Sequence, residues 1–408
     1  MSEQQLRDLL RDKAEPVQPP ALAESSWRLA AVRRRRRRAT AGTAAAVVAV
    51  ALLGAGALGG GLPGTTRHPS PPAHRSTGDS AADALPLAAT RLPRTIDTDP
   101  AHAEPLSTHP VEHALGLFAA YPAGWPQVLP RTSVVLVLGD DGRMRRIDTV
   151  RVLGSRDGYE PAPIAPGALN AAGTRAAFPQ PDGTLLTVDL TGTGHRSYRM
   201  ATGTVESLWW NGDAEIVVST SELTRVLDLA TGRSRLLPFG DALMPRYPNP
   251  GTGFLAMPVD RPAGALGPYN VAVEVRSYDE RGHRKGYAGS WNGLHGWYGP
   301  GVTNGSWAVR ASSGTRVDPD AQNDSVVAVP VNGNASPDAV VVTCPGGNGP
   351  HQKASCRPLG WAGPDRLLVV DHAHSQHQLL SVDLRTEKVS AVARLTGDAQ
   401  VAIRPGGY

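Results

Sequence analysis

The sequence predicts an all-β fold: a β-propeller of six blades, with seven as the alternative, preceded by one transmembrane α-helix and a disordered linker. Three observations carry this. A phrase of apolar strand, aspartate, turn and polar strand recurs through the C-terminal two thirds of the chain. A second phrase, a turn rich in Gly, Asn or Pro followed by a short apolar strand, precedes the first. The composition, with 45 Gly and 36 Pro among 408 residues and only 19% charged, suits short strands and tight turns better than long charged helices.

The elements follow in chain order. Residues 2–13, SEQQLRDLLRDK, place Leu6, Leu9 and Leu10 on one face of a short helix with Ser2 as its cap. Such a helix either lies against a membrane or docks a cytoplasmic partner, which makes residues 2–32 a candidate site for a cytoplasmic regulator. Arg33, Arg34, Arg35, Arg36, Arg37 and Arg38 then abut residues 39–62, which carry no charge. That run exceeds the roughly 20 residues a helix needs to cross a hydrocarbon core. Arginines on its N-terminal flank hold that side in the cytoplasm. The expectation is a single-pass protein of the cell membrane, with residues 1–38 inside and everything from residue 63 outside. A cleaved secretory signal and a buried soluble helix are the alternatives.

The six arginines account for more than the net charge of +4, so the remainder is near neutral and no nucleic-acid-binding face is expected. GAGALG at 54–59 has the spacing of a dinucleotide loop but lies inside the apolar run, with no strand before it. Gly56 and Gly60 form a GxxxG step, a weak sign of helix pairing. Residues 63–110 are rich in Pro, Ala, Ser, Thr and His without sustained period, and read as a flexible linker. The folded domain is expected over 111–408.

Within it the first phrase appears as LLTVDLTGTG, TRVLDLATGRS, VRSYDERGHR and LLSVDLRTEK, with Asp189, Asp228, Asp279 and Asp383 at the matching place. An aspartate there suits a hairpin, because its carboxylate accepts a hydrogen bond from the backbone two residues on. Gly192, Gly232 and Gly282 permit the positive φ that follows. The structural role outweighs a catalytic one. VVAVPVNGNAS (326–336) reads as a degenerate fifth copy with Pro330 in place of Asp. The second phrase appears as LNAAGTRAAFPQPDGT, LWWNGDAEIVVST, YPNPGTGFLAMPV and LGWAGPDRLLVVD. Together they give four strands per unit at roughly the 40-residue period of propeller blades. The C-terminal AQVAIRPGGY supplies a strand without partners, expected to complete the first blade alongside 133–154.

AAGTRAAF, DGTLLTVDLTG and VLDLATGRS resemble the repeats of TolB-like and WD40-like propellers over residues 130–408. The layout of the whole chain is similar to single-pass membrane proteins of high-GC Gram-positive bacteria. The resemblance implies an extracytoplasmic propeller and little about activity; the repeated Trp-Asp dipeptide of the cytosolic scaffolds is missing.

Three groups are candidates for chemistry. Cys344 and Cys356, the only cysteines, fall on the extracytoplasmic side and read as a disulfide, with free thiols as the alternative. Asp371, His372, His374 and His377 cluster in DHAHSQH, where a hairpin loop is expected; they are either a solvated turn or a metal site. Trp291, Trp297, Tyr298 and Trp307, with Tyr287, stand among glycines between 287 and 307. On a loop they would stack on a sugar or peptide, and otherwise they pack between blades. DPDAQND at 318–324 lacks the glycine and closing glutamate of a calcium loop. No nucleophile elbow, zinc-protease helix or phosphate loop occurs in the folded part, and no cofactor is expected. The reading is an envelope module that binds a protein, peptide or glycan, with a link to signalling through the N-terminal tail. The alternative is an extracytoplasmic metal-dependent hydrolase or lyase with its site in the channel.

Overall fold

The computed structural model describes residues 88, 90–120, 132–157, 160–162, 164–200, 205–247, 253–258, 271–294, 297–313, 324–331, 340–343, 356–372, 377–397 and 399–406. All of them belong to one unit, Ser70–Asp260 with Gly267–Tyr408. The amphipathic helix, the arginine run and the apolar span expected over residues 1–62 lie outside the described residues. Among the described residues no helix is long and apolar enough to cross a membrane.

The hairpin phrases build as their local chemistry dictates. Asp228 Oδ1 accepts the backbone N–H groups of Ala230 at 2.8 Å and Thr231 at 3.0 Å. Asp383 does the same for Arg385 and Thr386, Asp279 for Arg281 and His283, and Asp189 for Thr191. Each carboxylate satisfies turn donors that would otherwise compete for the strand ladder. These bonds hold the carboxyls of Asp228, Asp279 and Asp383 below the ordinary aspartate range. Gly232 at φ 68° and Gly282 at φ 85° take the left-handed position as expected. Gly192 does not, and in the fourth copy a non-glycine residue, Glu387, takes it at φ 56°.

The hairpins assemble into six antiparallel blades, each with its first strand innermost. Blade 2 holds Arg175–Pro179, Thr184–Asp189 and His195–Arg199, with Leu169 bridged to Ala176 on the inner side. Blade 3 runs Ser207–Asn211, Glu215–Ser219, Thr224–Asp228 and Ser234–Leu237. Blade 4 has Phe254–Ala256, Val271–Tyr278 and Arg284–Leu294, with Ala242 bridged to Ala256 inside them. Blade 5 is Trp297–Thr303, Trp307–Ser313, Asp324–Pro330 and Val340–Thr343. Blade 6 is Cys356–Trp361, Arg366–Asp371, Gln378–Asp383 and Lys388–Leu395. Blade 1 is closed by the end of the chain: Ala399–Ile403 pairs with Ala114–Ala120, which continues to Val135–Gly139 and Met144–Arg146. The expected closure by AQVAIRPGGY is therefore what the ring uses. The architecture is a six-bladed β-propeller.

Central strands such as Val135–Gly139 are buried along their whole length, because each blade packs a neighbour on both faces. Phe178, Leu185 and Leu208 fill the core that joins blades 1 to 3, and Val309, Val369 and Val382 part of the core on the opposite side. Each such side chain contributes about 1.5–3 kcal/mol by leaving water.

The expected boundary at residue 110 is displaced toward the N-terminus. Thr95–Ile96 adds in parallel to the outer strand of blade 6, opposite Arg394 and Leu395, and Glu104–Pro105 adds in parallel to the outer strand of blade 1. Leu92, Ile96, Ala103 and Leu106 are buried. These few apolar residues, without a strand period of their own, gain their burial from distant strands, Ile96 beside Leu395 and Leu106 beside Arg146. The segment is thus a strap across the seam where the ring closes. The aromatic stretch takes one of its two expected forms. It forms strands, Arg284–Leu294 and Trp297–Thr303, and not the loop on which its rings would stack on a ligand.

Candidate functional site: the mouth of the central channel

The innermost segments of neighbouring blades run parallel, as at Gly167 beside Trp209 and Met244 beside Val302. Their starts therefore gather at one end of the channel and their ends at the other. At those ends the repeat places one residue of each of three blades by register, and two of the three are Trp. Asn170, Trp210 and Trp361 each stand five residues before the first residue of the next strand, Arg175, Glu215 and Arg366.

Around them lies a small depression of about 80 Å³, lined by Trp209, Trp210, Met244, Arg246, Tyr247 and Trp361, among others. The three indoles are buried, while Tyr247 is 44% exposed and so forms its rim. Gly167 lets the inner strands meet here, since a Cβ at that position would stand 2.3 Å from the Leu208 carbonyl oxygen. The Trp210 indole N–H donates to the Ala168 carbonyl at 2.8 Å, and the Arg175 guanidinium lies 5.0 Å over the Trp210 ring. Among the described residues, Arg246 is the one Arg, Lys, Asp or Glu of the lining. Such a surface offers apolar faces, few donors and one cation, the general make-up of a small-molecule pocket.

The inner-strand starts carry buried charge. Arg310 of blade 5 donates to Asp241 Oδ1 at 3.1 Å, to the Met257 carbonyl at 3.0 Å and to the Gly299 carbonyl at 3.0 Å. The two side chains are 3% and 6% exposed. Asp241 sits at φ 54°, a left-handed conformation held by its place between blades 3 and 4. Glu206, at the start of the inner strand of blade 3, has its carboxyl pushed up by burial; the Asp241 carboxylate adds to this and Arg310 opposes it. The group is a clamp between blades 3, 4 and 5.

The residues singled out by sequence are distributed otherwise. Trp307 is half-buried and packs against the core shared by blades 3 to 6. Trp291, Trp297 and Tyr298 occupy strand positions opposite Val273, Ser312 and Ala311, and their side chains lie outside the described residues. Asp371 is fully buried at the end of its strand and accepts a hydrogen bond from Gln378 Nε2 at 3.4 Å. The rings of His372 and His377 are 6.2 Å apart and inclined by 55°. His374 lies outside the described residues. Among the described residues no group of three or more His, Cys, Asp or Glu is placed to hold a metal. Cys356 is fully buried at the start of blade 6, and its expected partner Cys344 lies outside the described residues, as do Arg33 to Arg38. The mouth residues were missed. Their signal was present in the second repeated phrase, where Trp210 and Trp361 align.

Compared with known proteins, the sequence matches no family model and no curated protein. Solved structures do resemble it. TolB from Acinetobacter baumannii is 13% identical with a TM-score of 0.45, over 74% of this chain and 69% of that one. A nidogen/laminin complex gives 13% and 0.41, over 71% and 98%. An oligogalacturonate lyase in complex with manganese gives 11% and 0.39, over 70% and 75%. At these identities the likeness concerns architecture alone.

Proposed function

We propose that this chain is a membrane-anchored binding module, held by residues 39–62 with residues 1–38 in the cytoplasm, whose extracytoplasmic propeller takes a protein, peptide or glycan partner at the channel mouth. The observation that carries the reading is the depression gathered from blades 3, 4 and 6, with Trp209, Tyr247 and Trp361 around Arg246. Amphipathic rings set in a rigid frame give large contact area at low entropic cost. A Cys344–Cys356 disulfide staples the segment leading into blade 6; the burial of Cys356, and the lack of a free cysteine among the described residues, support it. The test is crosslinking from intact cells with the full chain, a chain lacking residues 2–32, and a Tyr247→Ala, Trp361→Ala chain. Loss of the partner only in the last places binding at the mouth. Loss with the tail alone would shift the reading to a cytoplasmic partner.

The metal-dependent hydrolase or lyase has one observation in its favour, the approach of His372 to His377 beside Asp371. It requires a rise in melting temperature with added Mn²⁺ or Zn²⁺ that His372→Ala abolishes.

A further inference from the structure

Trp210 and Trp361 hold equivalent places in their blades, yet their indoles differ. The Trp210 N–H donates to Ala168 of the neighbouring blade. Trp361 is 5% exposed and is one of the residues lining the depression, and its Nε1–H, closed off from solvent as the side chain stands, has no acceptor. Folded proteins satisfy nearly all buried donors, and the repeat does not impose this exception, since its own copy in blade 3 is paired. A donor left over at a cavity marks the place of an acceptor supplied from outside. Arg246 lines the same depression, makes no ion pair among the described residues, and has no Asp or Glu beside it in the lining. One cation, one neutral N–H donor and aromatic walls define the missing group. It carries a single negative charge and at least one strong acceptor, on an apolar body.

We propose that the channel mouth binds a carboxylate, with one oxygen accepting from Trp361 Nε1–H, the guanidinium of Arg246 holding the charge, and the ligand body lying against Tyr247 and Trp209. A dianionic phosphate fits less well, because one arginine leaves half its charge uncompensated among apolar groups. The proposal rests on the reading that the mouth is a binding site and names the chemistry of what enters it. The carboxylate comes either from a free small acid or from the end of a peptide chain.

The experiment is calorimetric titration of the purified full chain in detergent micelles with two acid–amide pairs. One is hippurate and its primary amide; the other is a pentapeptide ending in Phe as the free acid and as the C-terminal amide. The expected result is a Kd at least tenfold lower for an acid than for its amide, with Arg246→Gln removing the difference and Arg246→Lys keeping part of it. Trp361→Phe weakens the acid while leaving a residual preference. Preference for hippurate identifies a small acid, and preference for the peptide identifies a chain end. Equal binding of acid and amide, no saturation by either acid, or an unchanged preference in Arg246→Gln overturns the proposal. Should Arg246→Gln fail to fold, the acid–amide comparison on the unsubstituted chain decides. A partner crosslinked at the mouth without any acid preference overturns the carboxylate and leaves the binding module standing.

Discussion

Arg310→Met removes the clamp between blades 4 and 5 while keeping most of the side-chain volume. The guanidinium is 3% exposed and serves the Asp241 carboxylate, itself 6% exposed, together with the carbonyls of Met257 and Gly299. Methionine takes the positive charge from a buried carboxylate and a donor from each of two carbonyls. Breaking a buried pair in this way costs about 3–5 kcal/mol, most of it the desolvation of the partner left behind. For a domain of about 300 residues that is a fall in melting temperature of roughly 5–8 °C. Arg310→Lys keeps the charge but not the fork that reaches three acceptors, and falls between. Adding Asp241→Asn to Arg310→Met removes the stranded charge and returns part of the loss. The assay is thermal unfolding of the full chain followed by circular dichroism at neutral pH. A loss under about 1 kcal/mol in Arg310→Met, or a double variant no more stable than the single, would refute the view that this pair ties the blades.

Ile96→Asp places a charge at a 1%-exposed position of the strap and is expected to cost more than about 3 kcal/mol, with hydrogen exchange quickening first in Lys388–Leu395, the strand that Ile96 abuts. Unchanged exchange there would mean that the strap does not secure the seam. Asp141, hydrogen-bonded twice by Arg145, has its carboxyl lowered from 3.8 to about 2. A carboxyl lowered on folding stabilises above its unfolded pKa and stops doing so as pH falls through its folded one. Asp141→Asn therefore flattens the loss of stability between pH 4 and pH 2 and leaves the slope above pH 5 unaltered, which acid unfolding curves read directly. Reduction of the proposed Cys344–Cys356 bridge, or Cys356→Ser, is expected to cost about 3 kcal/mol for a loop of this length, and non-reducing peptide mapping should recover the linked pair.

What could be read from the sequence is what depends on near neighbours. The aspartates at 189, 228, 279 and 383 bind donors two to four residues away, so a repeated phrase is enough to expose hairpin and blade alike. Closure by the last strand also followed, because a strand without partners needs one. The strap could not be seen. Ile96 meets Leu395, and two-residue strands in parallel pairing leave no period in the chain. The channel mouth escaped notice for a different reason. The density of aromatics between 287 and 307 drew attention, yet Trp307 packs into the core, while the mouth collects Trp209, Tyr247 and Trp361 from three blades. Each is unremarked in its own segment, and only the closing of the ring brings them together. The buried pair of Asp241 and Arg310, 69 residues apart, has no local signature either.

The most direct test of the binding module is a photo-crosslinking side chain placed at Tyr247, on the rim of the depression, and separately at Leu236, 53% exposed on the outer strand of blade 3. A discrete adduct from position 247 and none from position 236, in intact cells, is the result the account predicts. Adducts from 236 alone, or equally from both, would contradict it.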